Sequence, residues 1–502
     1  MTENALLGDL TARRARLDGT AVALICGDQR VDFKTLEASA CRAGNALIEL
    51  GVGRGDRVAA LMRNSIDYVV LYYAVARIGA ILCPLNWRLA PPEIAAILGH
   101  SEVSLLLYDS EFSSIVDALS TLSRLDDRIV DGADFNQLAA RASSVTPVIV
   151  VAADDPLLLV YTSGTTGAAK GAVLTHRKML WTSLTMAATL DYRRRDVDLI
   201  AAPLFHVGGL SFVTLSVHLG ATAVILPAWD PASVLDLVAR EQINHFFAVA
   251  AMLEALVAHP GFATAELDSV RWIMAGGAPV PISLIQTFAA RAIPLVQTYG
   301  ATETGGPATV VDTDHALTKA GSAGLPFFHT DIRIANGARG IMATDEVGEI
   351  QVRAPHVGTY WRDQSATEAA FVDGWFRMGD FGYLDADGYL FLLGRRNDLI
   401  VSGGENVYPA EIEALLSALR EIEEVAVLGI ADKCWGELVC AIVVLADGQE
   451  ISLETINAYC DGRIARYKTP RRLVIRSNPL PRNATGKVLR NVLKDELKVD
   501  NA

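Results

Sequence analysis

The sequence predicts an α/β fold: a large N-terminal domain of α/β subdomains with a β-rich lobe, then a small α+β C-terminal domain. Three observations carry this. Short apolar runs of strand length alternate with helix-like segments through the first 300 residues. Between about 320 and 395 glycines become frequent and apolar and polar residues alternate, the pattern of a β-rich lobe. After Gly394 a charged, glycine-containing stretch, GRRNDLIVSGGEN, leads into a last segment long enough for a small domain. The boundary is placed between 396 and 397, giving domains 1–396 and 397–502.

In chain order, 57–62 reads as a strand and 66–80 as a helix. Runs at 157–160, 199–203, 221–226, 246–250, 272–275 and 295–298 read as largely parallel strands, and 231–241 carries apolar residues at helical spacing. In the lobe, 348–353 and 389–394 read as strands; beyond it come a helix at 409–418 and strands at 424–430 and 439–445. No fixed-period repeat or low-complexity tract interrupts them.

Composition narrows the class. A chain of 502 residues exceeds what one core usually supports, and 51% hydrophobic with 20% charged residues is a globular balance. A net charge of −14 and a pI near 5.2 argue against general nucleic-acid binding. The N-terminus MTENALLGDLTARR has no apolar signal-peptide core, and no run approaches the length of a membrane span. A cytoplasmic location is expected. The six cysteines are scattered without a CxxC pair and read as buried thiols of a reducing compartment.

The segment Tyr161 to Gly171, YTSGTTGAAKG, follows the apolar run at 157–160 and reads as a strand running into a flexible loop. Gly164 and Gly167 allow backbone N–H groups to turn toward a phosphate. Thr162, Ser163, Thr165 and Thr166 supply hydroxyl donors, and Lys170 a positive charge for polyphosphate. The spacing is not that of the Walker loop, whose glycines stand further apart. Further motifs follow in order: PLFHVGG (203–209), GGAP (276–279), YGATET (299–304), GWFRMGD (374–380), GRRNDLIVSGGENVYPAEIE (394–413) and PRNATGK (481–487).

Together these seven motifs, spread over nearly the whole chain, closely resemble those of the adenylate-forming enzymes: acyl- and aryl-CoA ligases, peptide-synthetase adenylation domains and firefly-type luciferases. The resemblance implies ATP, Mg²⁺ and coenzyme A as partners of a small carboxylic acid, and makes the C-terminal domain a mobile lid over an interdomain site. Glu303 suits Mg²⁺, which takes hard oxygens and usually one or two carboxylates, with Thr165 as a further metal contact. The family would set Thr302 at the α-phosphate and Tyr299 on adenine. Asp380 can accept from ribose hydroxyls, reinforced by Arg395, and the backbone at Gly276, Gly277 and Ala278 permits close approach of adenine and acyl group. The family places His206 at the carboxylate, where it positions the acid or gates the pocket, and has Lys487 bridge carboxylate and α-phosphate. Gly403 and Gly404 resemble the segment lining the pantetheine tunnel, Trp435 and Arg88 match positions near CoA, and Lys468, Arg471 and Arg472 are further candidates for its phosphates.

One departure stands at the hinge, where the family's common G-R-x-D-D becomes Gly394-Arg395-Arg396-Asn397-Asp398, keeping size at the pivot and losing its charge. The expected activity is an ATP-dependent acid–CoA ligase acting on a fatty, aryl or arylpropenoic acid, with small residues at Gly305 to Ala308 making room for it. The alternatives are a stand-alone adenylation enzyme that loads a carrier protein and a non-catalytic nucleotide-binding protein. No nucleic-acid partner is expected; homodimerisation is left open, as is peripheral membrane contact through Arg193-Arg194-Arg195.

Overall fold

The structure is a computed structural model describing residues 6–120, 129–162, 170–336, 340–395, 398–402, 405–432, 435–482 and 488–499. It is a mixed α/β protein with a large N-terminal and a small C-terminal domain.

Two sheets organise most of the large domain. The first runs Leu325–Pro326, Gly306–Val310, Leu295–Ala301, Trp272–Ala275, His245–Ala248, Val197–Ile200, Thr222–Ile225, Val22–Cys26, Gln29–Asp32. Its six central strands are parallel, and its edges are closed by antiparallel strands. The second runs Thr359–Tyr360, Lys170–Thr175, Pro156–Thr162, Ile81–Pro84, Arg57–Leu61, Leu105–Tyr108, Ile129–Asp131. Parallel strands need helices on both faces, and helix Ile66–Ile78 meets that need for both sheets by packing on Val22–Cys26 and Ile81–Pro84. It is apolar nearly all round and buried along its length, as such a position requires. Ser65 caps its start by accepting from the Tyr68 N–H, and Gly79 ends it at φ 68°. Helix Val207–Leu219 is buried in the same way.

Four expected strands stop before their apolar runs do, at Leu61, Ile200, Ile225 and Ala248. The run at 199–203 leaves the sheet after Ile200, where the Ala201 N–H turns back to the Leu199 carbonyl, and Pro203 then offers no N–H with which to resume the ladder. The run at 246–250 starts one residue earlier and stops at Ala248, where helix Ala250–Ala258 takes over.

The β-rich lobe is a six-stranded sheet, antiparallel throughout, that includes Gly348–Arg353, Trp375–Leu384 and Leu390–Arg395. The small domain holds the fourth sheet, built on Ile422–Asp432 and Gly436–Leu445. Alternate residues of these strands serve opposite cores: Val427, Val439, Ala441 and Val443 face one, and Ala426, Leu428, Cys440 and Ile442 the other. Among the described residues no helix is long and apolar enough to cross a membrane, and Cys26, Cys41, Cys83, Cys440 and Cys460 are free thiols.

Candidate active site

The segment around the glycine- and threonine-rich loop is a hairpin. Pro156–Thr162 pairs antiparallel with Lys170–Thr175, and the last ladder pair is Thr162 with Lys170. Thr162 Oγ1 donates to the Lys170 carbonyl at 3.5 Å. Residues Ser163, Gly164, Thr165, Thr166 and Gly167 lie outside the described residues, but both ends of their loop are set in register. Gly171 lets the arms close, since a Cβ there would sit 2.7 Å from Leu159 Cδ1.

The hairpin brings Lys170 to the acidic turn. Strand Thr359–Tyr360 pairs along Lys170–Thr175. The Tyr360 ring centre lies 5.1 Å from Lys170 Nζ, and its hydroxyl donates to Glu303 Oε1 at 2.9 Å. The Gly358 N–H donates to the Glu303 carbonyl at 2.6 Å, and a Cβ on Gly358 would come 2.7 Å from the Val173 carbonyl. Glu303 and Thr302 sit in the one-turn segment Thr302–Thr304, half-buried, where Thr304 Oγ1 both accepts from the Ala301 N–H and donates to the Gly306 carbonyl. Glu303 Oε2 has no partner among the described residues. Tyr360 was missed by sequence reasoning. Its only signal is an aromatic pair, Tyr360-Trp361, in no motif, and its role depends on a two-residue strand visible only in the fold.

A second pair gathers across the sheet end. The Tyr299 hydroxyl donates to Asp380 Oδ2 at 2.6 Å, and antiparallel register sets Arg395 opposite Asp380. Sequence reasoning had separate roles for Tyr299 and Asp380; the hydrogen bond makes them one unit. Gly276 ends strand Trp272–Ala275, where a Cβ would stand 2.6 Å from Thr298 Cγ2 and 2.8 Å from the Thr298 carbonyl, and Gly277 follows at φ 83°. The GGAP turn therefore hugs the strand carrying Tyr299, with Ala278 half-buried after it.

His206 is the N-cap of helix Val207–Leu219 and gives that helix no side-chain cap bond. Its Nε2 is buried without a hydrogen-bond partner among the described residues. Burial, and then the charge of Arg88, push its pKa down to about 4, so the ring is neutral at pH 7. The Arg88 guanidinium lies 4.4 Å from the Trp87 ring centre and 5.8 Å from that of Phe205. Close by, Leu199, Ala201, Ala202, Gly209, Phe212 and Phe247 line a narrow apolar cleft that is packed shut in this structure, without room for a water molecule. A Cβ on Gly208 would touch the Phe247 ring at 3.9 Å, and one on Gly276 at 3.4 Å, so the cleft lies between the histidine loop and the GGAP turn.

Three expectations need correction. Ala308 is fully buried against Val352, Val357 and Phe376, and Gly305 and Gly306 pack on helix Val207–Leu219, where Ser211 Oγ donates to the Gly305 carbonyl. These small residues allow close packing and do not wall the cleft. Arg193 is paired with Asp191 and Arg194 with Asp18, so of the three arginines only the exposed Arg195 has no acid partner among the described residues, leaving little net charge for an anionic surface. Lys468 Nζ is held 2.7 Å from both oxygens of Glu411, so it is not a free cation for a phosphate.

In the small domain, Trp435 is exposed at the turn between Ile422–Asp432 and Gly436–Leu445, with the Arg471 guanidinium 3.9 Å over its ring. Arg472 begins strand Arg472–Arg476. Asn397, Gly403, Gly404 and Lys487 lie outside the described residues. Beside them, Asp398 faces Arg490 at 3.9 Å, and Arg490 holds Glu413 at 2.5 Å.

A phosphate-type hairpin, a half-buried acid turn and a Tyr–Asp pair at one end of a parallel sheet are the furniture of a nucleotide-using α/β protein. The family model described as AMP-binding enzyme matches residues 11–361, and that described as AMP-binding enzyme C-terminal domain matches 411–487. The chain belongs to this family, the adenylate-forming superfamily. It is 39% identical over 473 residues to the long-chain-fatty-acid–CoA ligase FadD13 of Mycobacterium tuberculosis, covering 93% of each chain. It is 38% identical over 495 residues to the feruloyl-CoA synthase of an Amycolatopsis species, covering 98% of this chain and 99% of the other. Among solved structures it resembles the o-succinylbenzoate CoA synthetase MenE of Bacillus subtilis in complex with the acyl-adenylate intermediate OSB-AMP, with a TM-score of 0.88, 35% identity and coverage of 97% and 98%. The same synthetase in complex with ATP and magnesium ion gives 0.87, with 34% identity and coverage of 97% and 99%.

Proposed function

We propose that this protein is an ATP-dependent acid–CoA ligase of the AMP-forming kind. The observation that carries the reading is the convergence of Lys170, Tyr360 and Glu303 beside the hairpin loop. A carboxylate oxygen attacks the α-phosphorus of ATP and pyrophosphate leaves, giving an acyl-adenylate. The CoA sulfur then attacks the acyl carbon, and AMP leaves. The protein's part is to position the reactants and stabilise charge.

Glu303 Oε2 suits a Mg²⁺ ion, because that cation takes few carboxylates and completes its shell with phosphate and water. When bound, the ion neutralises the phosphate charge. Tyr360 holds the Glu303 carboxylate in place, and Thr302, Thr165 and Lys170 meet phosphate oxygens. Asp380 accepts from the ribose while Tyr299 steadies it, with Arg395 in register behind. The neutral His206, its Nε2 open to a partner, orients the acid from the edge of the apolar cleft. Lys487 stabilises charge developing between carboxylate and phosphate in the first step. Trp435, Gly403, Gly404 and Arg88 serve the CoA arm in the second.

The division between domains falls at 396/397, with the smaller part moving as a lid about Asn397. The apolar wall of Leu199, Ala201, Phe212 and Phe247, which would have to part to admit a substrate, supports an acid apolar over most of its length. The relatives' names span fatty, aryl and dicarboxylic acids, so the wall is what supports this choice. The site's location is taken as cytoplasmic, where ATP and CoA are available.

Incubation with ATP, CoA and a panel of fatty, aryl, arylpropenoic, dicarboxylic and amino acids, reading AMP release, tests the reading. Acid-dependent AMP release that requires CoA for turnover is expected. AMP release that depends on a carrier protein and ignores CoA would move the assignment to carrier loading. A preference for a dicarboxylate or an amino acid would refute the apolar pocket.

A further inference from the structure

We propose that His245 is a buried imidazolium clamp that fixes strand Val197–Ile200 against strand His245–Ala248 and thereby sets the wall of the acid cleft. As a positioning residue for the ligation above, it rests on that reading.

His245 is fully buried. Its Nδ1 lies 3.1 Å from Asp198 Oδ1, and its Nε2 lies 3.2 Å from Asp196 Oδ2. Carboxylate oxygens accept and do not donate. Both ring nitrogens must therefore donate, which only the doubly protonated ring can do. Neighbouring groups complete the set. The Tyr192 hydroxyl and Ser216 Oγ each donate to Asp198 Oδ2 at 3.2 Å. Arg271 donates to Asp196 Oδ1 at 2.9 Å and Oδ2 at 2.5 Å, and the Arg193 N–H donates to Oδ2 at 2.6 Å. The Trp272 indole stacks on the imidazole at 4.5 Å and 9°, the face a cation prefers. Two carboxylates thus meet two cations, and the buried set is neutral. Burial alone lowers the His245 pKa, but the hydrogen bonds and charges of Asp196 and Asp198 outweigh it and raise the value above normal.

The clamp acts on the cleft through register. His245 pairs with Asp198 and Phe246 with Leu199. Leu199 and Ile200 on one strand, Ala201 and Ala202 just past its end, and Phe247 on the other strand line the cleft. The nucleotide-side residues Tyr299 and Glu303 stand on and after the separate strand Leu295–Ala301. Loosening the clamp should therefore disturb the acid more than ATP.

The test uses full-length protein labelled with ¹⁵N-histidine, the His245 signals being assigned by their loss in His245→Gln. At about pH 8, well above the ordinary histidine pKa of about 6.5, both ring nitrogens should still carry protons. A neutral tautomer there overturns the proposal. In His245→Gln, whose amide can serve only one carboxylate as donor, KM for the acid should rise roughly tenfold while KM for ATP stays within about twofold. Equal changes in both, or none, overturn it as well. Should that variant not fold, Tyr192→Phe removes one donor to Asp198 and should show the same split at smaller size; no split in it overturns the proposal. If wild-type protein releases no AMP with any acid, the ligase reading fails, and the ring-nitrogen spectrum still decides whether the clamp exists.

Discussion

Tyr360 is the residue that ties the phosphate hairpin to the acid turn, through its ring contact with Lys170 and its hydrogen bond to Glu303. A hydrogen bond to a charged group contributes about 1.5–3 kcal/mol, so Tyr360→Phe should cut kcat by roughly tenfold or more and raise the Mg²⁺ requirement, read by AMP release across a metal titration. An unchanged metal dependence would remove Tyr360 from the site. Glu303→Gln should be worse, since it takes the charge itself; full activity of that variant in excess EDTA would count against the metal role of Glu303. Lys487→Ala should abolish adenylation and largely spare thioester formation from supplied acyl-adenylate, because the role proposed for its charge belongs only to the first step. Equal loss in both half-reactions would contradict that division. Glu303, Asp380 and Tyr299 were all legible in the sequence because each sits in a motif with its chemistry on display. Tyr360, and the Tyr299–Asp380 bond that joins residues 81 apart in the chain, were not, since long-range pairing leaves no local pattern.

At the scale of elements, the GGAP turn and the hinge make opposite demands. Gly276 is needed for closeness: a Cβ there would lie 2.6 Å from Thr298 Cγ2 and 2.8 Å from a backbone oxygen that cannot swing aside. Gly276→Ala should push strand Trp272–Ala275 from Leu295–Ala301, costing about 1–3 kcal/mol as overpacking does, with KM for ATP rising as Tyr299 shifts. Thermal melts and ATP titrations check it, and a variant with wild-type Tm and KM would show the strands have slack. Under the proposed lid motion, Asn397 is the pivot. Proline there fixes φ and removes an N–H, so Asn397→Pro should trap one pose, leaving acyl-AMP formation normal and thioester formation steeply reduced if that pose is the adenylating one. Normal thioester formation would show that the pivot lies elsewhere. Element types were readable from periodicity: the runs at 272–275 and 348–353 are strands with those bounds, and 231–241 is a helix capped by Asp230 and opened by Pro231. Ends were less readable, as at 199–203, because the chain turns back at Ala201 and Pro203 offers no N–H to resume a ladder that apolar composition alone would continue.

The whole molecule is poised by its histidines. His176, His206, His218 and His356 have pKa values pushed down to about 4, by burial in every case. In the unfolded chain each returns to about 6.5. As pH falls from there toward 4 the unfolded state takes up protons that the folded state refuses, so stability falls. His245 acts at the other end. Its raised value means its contribution is complete below about 6.5 and is lost as pH rises through its folded pKa. Calorimetry across pH should show Tm falling on the acid side, with an alkaline decline that is smaller in His245→Gln; a flat Tm between about pH 7 and 4.5 would mean the four rings are not neutral in the fold. By itself the sequence determined the α/β class, the family and the ordered motif residues, because strand and helix periods and the chemistry of phosphate loops are local properties of the chain. Tertiary structure alone decided that strands Pro156–Thr162 and Lys170–Thr175 pair as a hairpin, that Gly305 to Ala308 pack closely, that Lys468, Arg193 and Arg194 meet acids, and that His245 stands between two carboxylates. Each of these is a pairing between segments distant in sequence, set by which strands lie side by side.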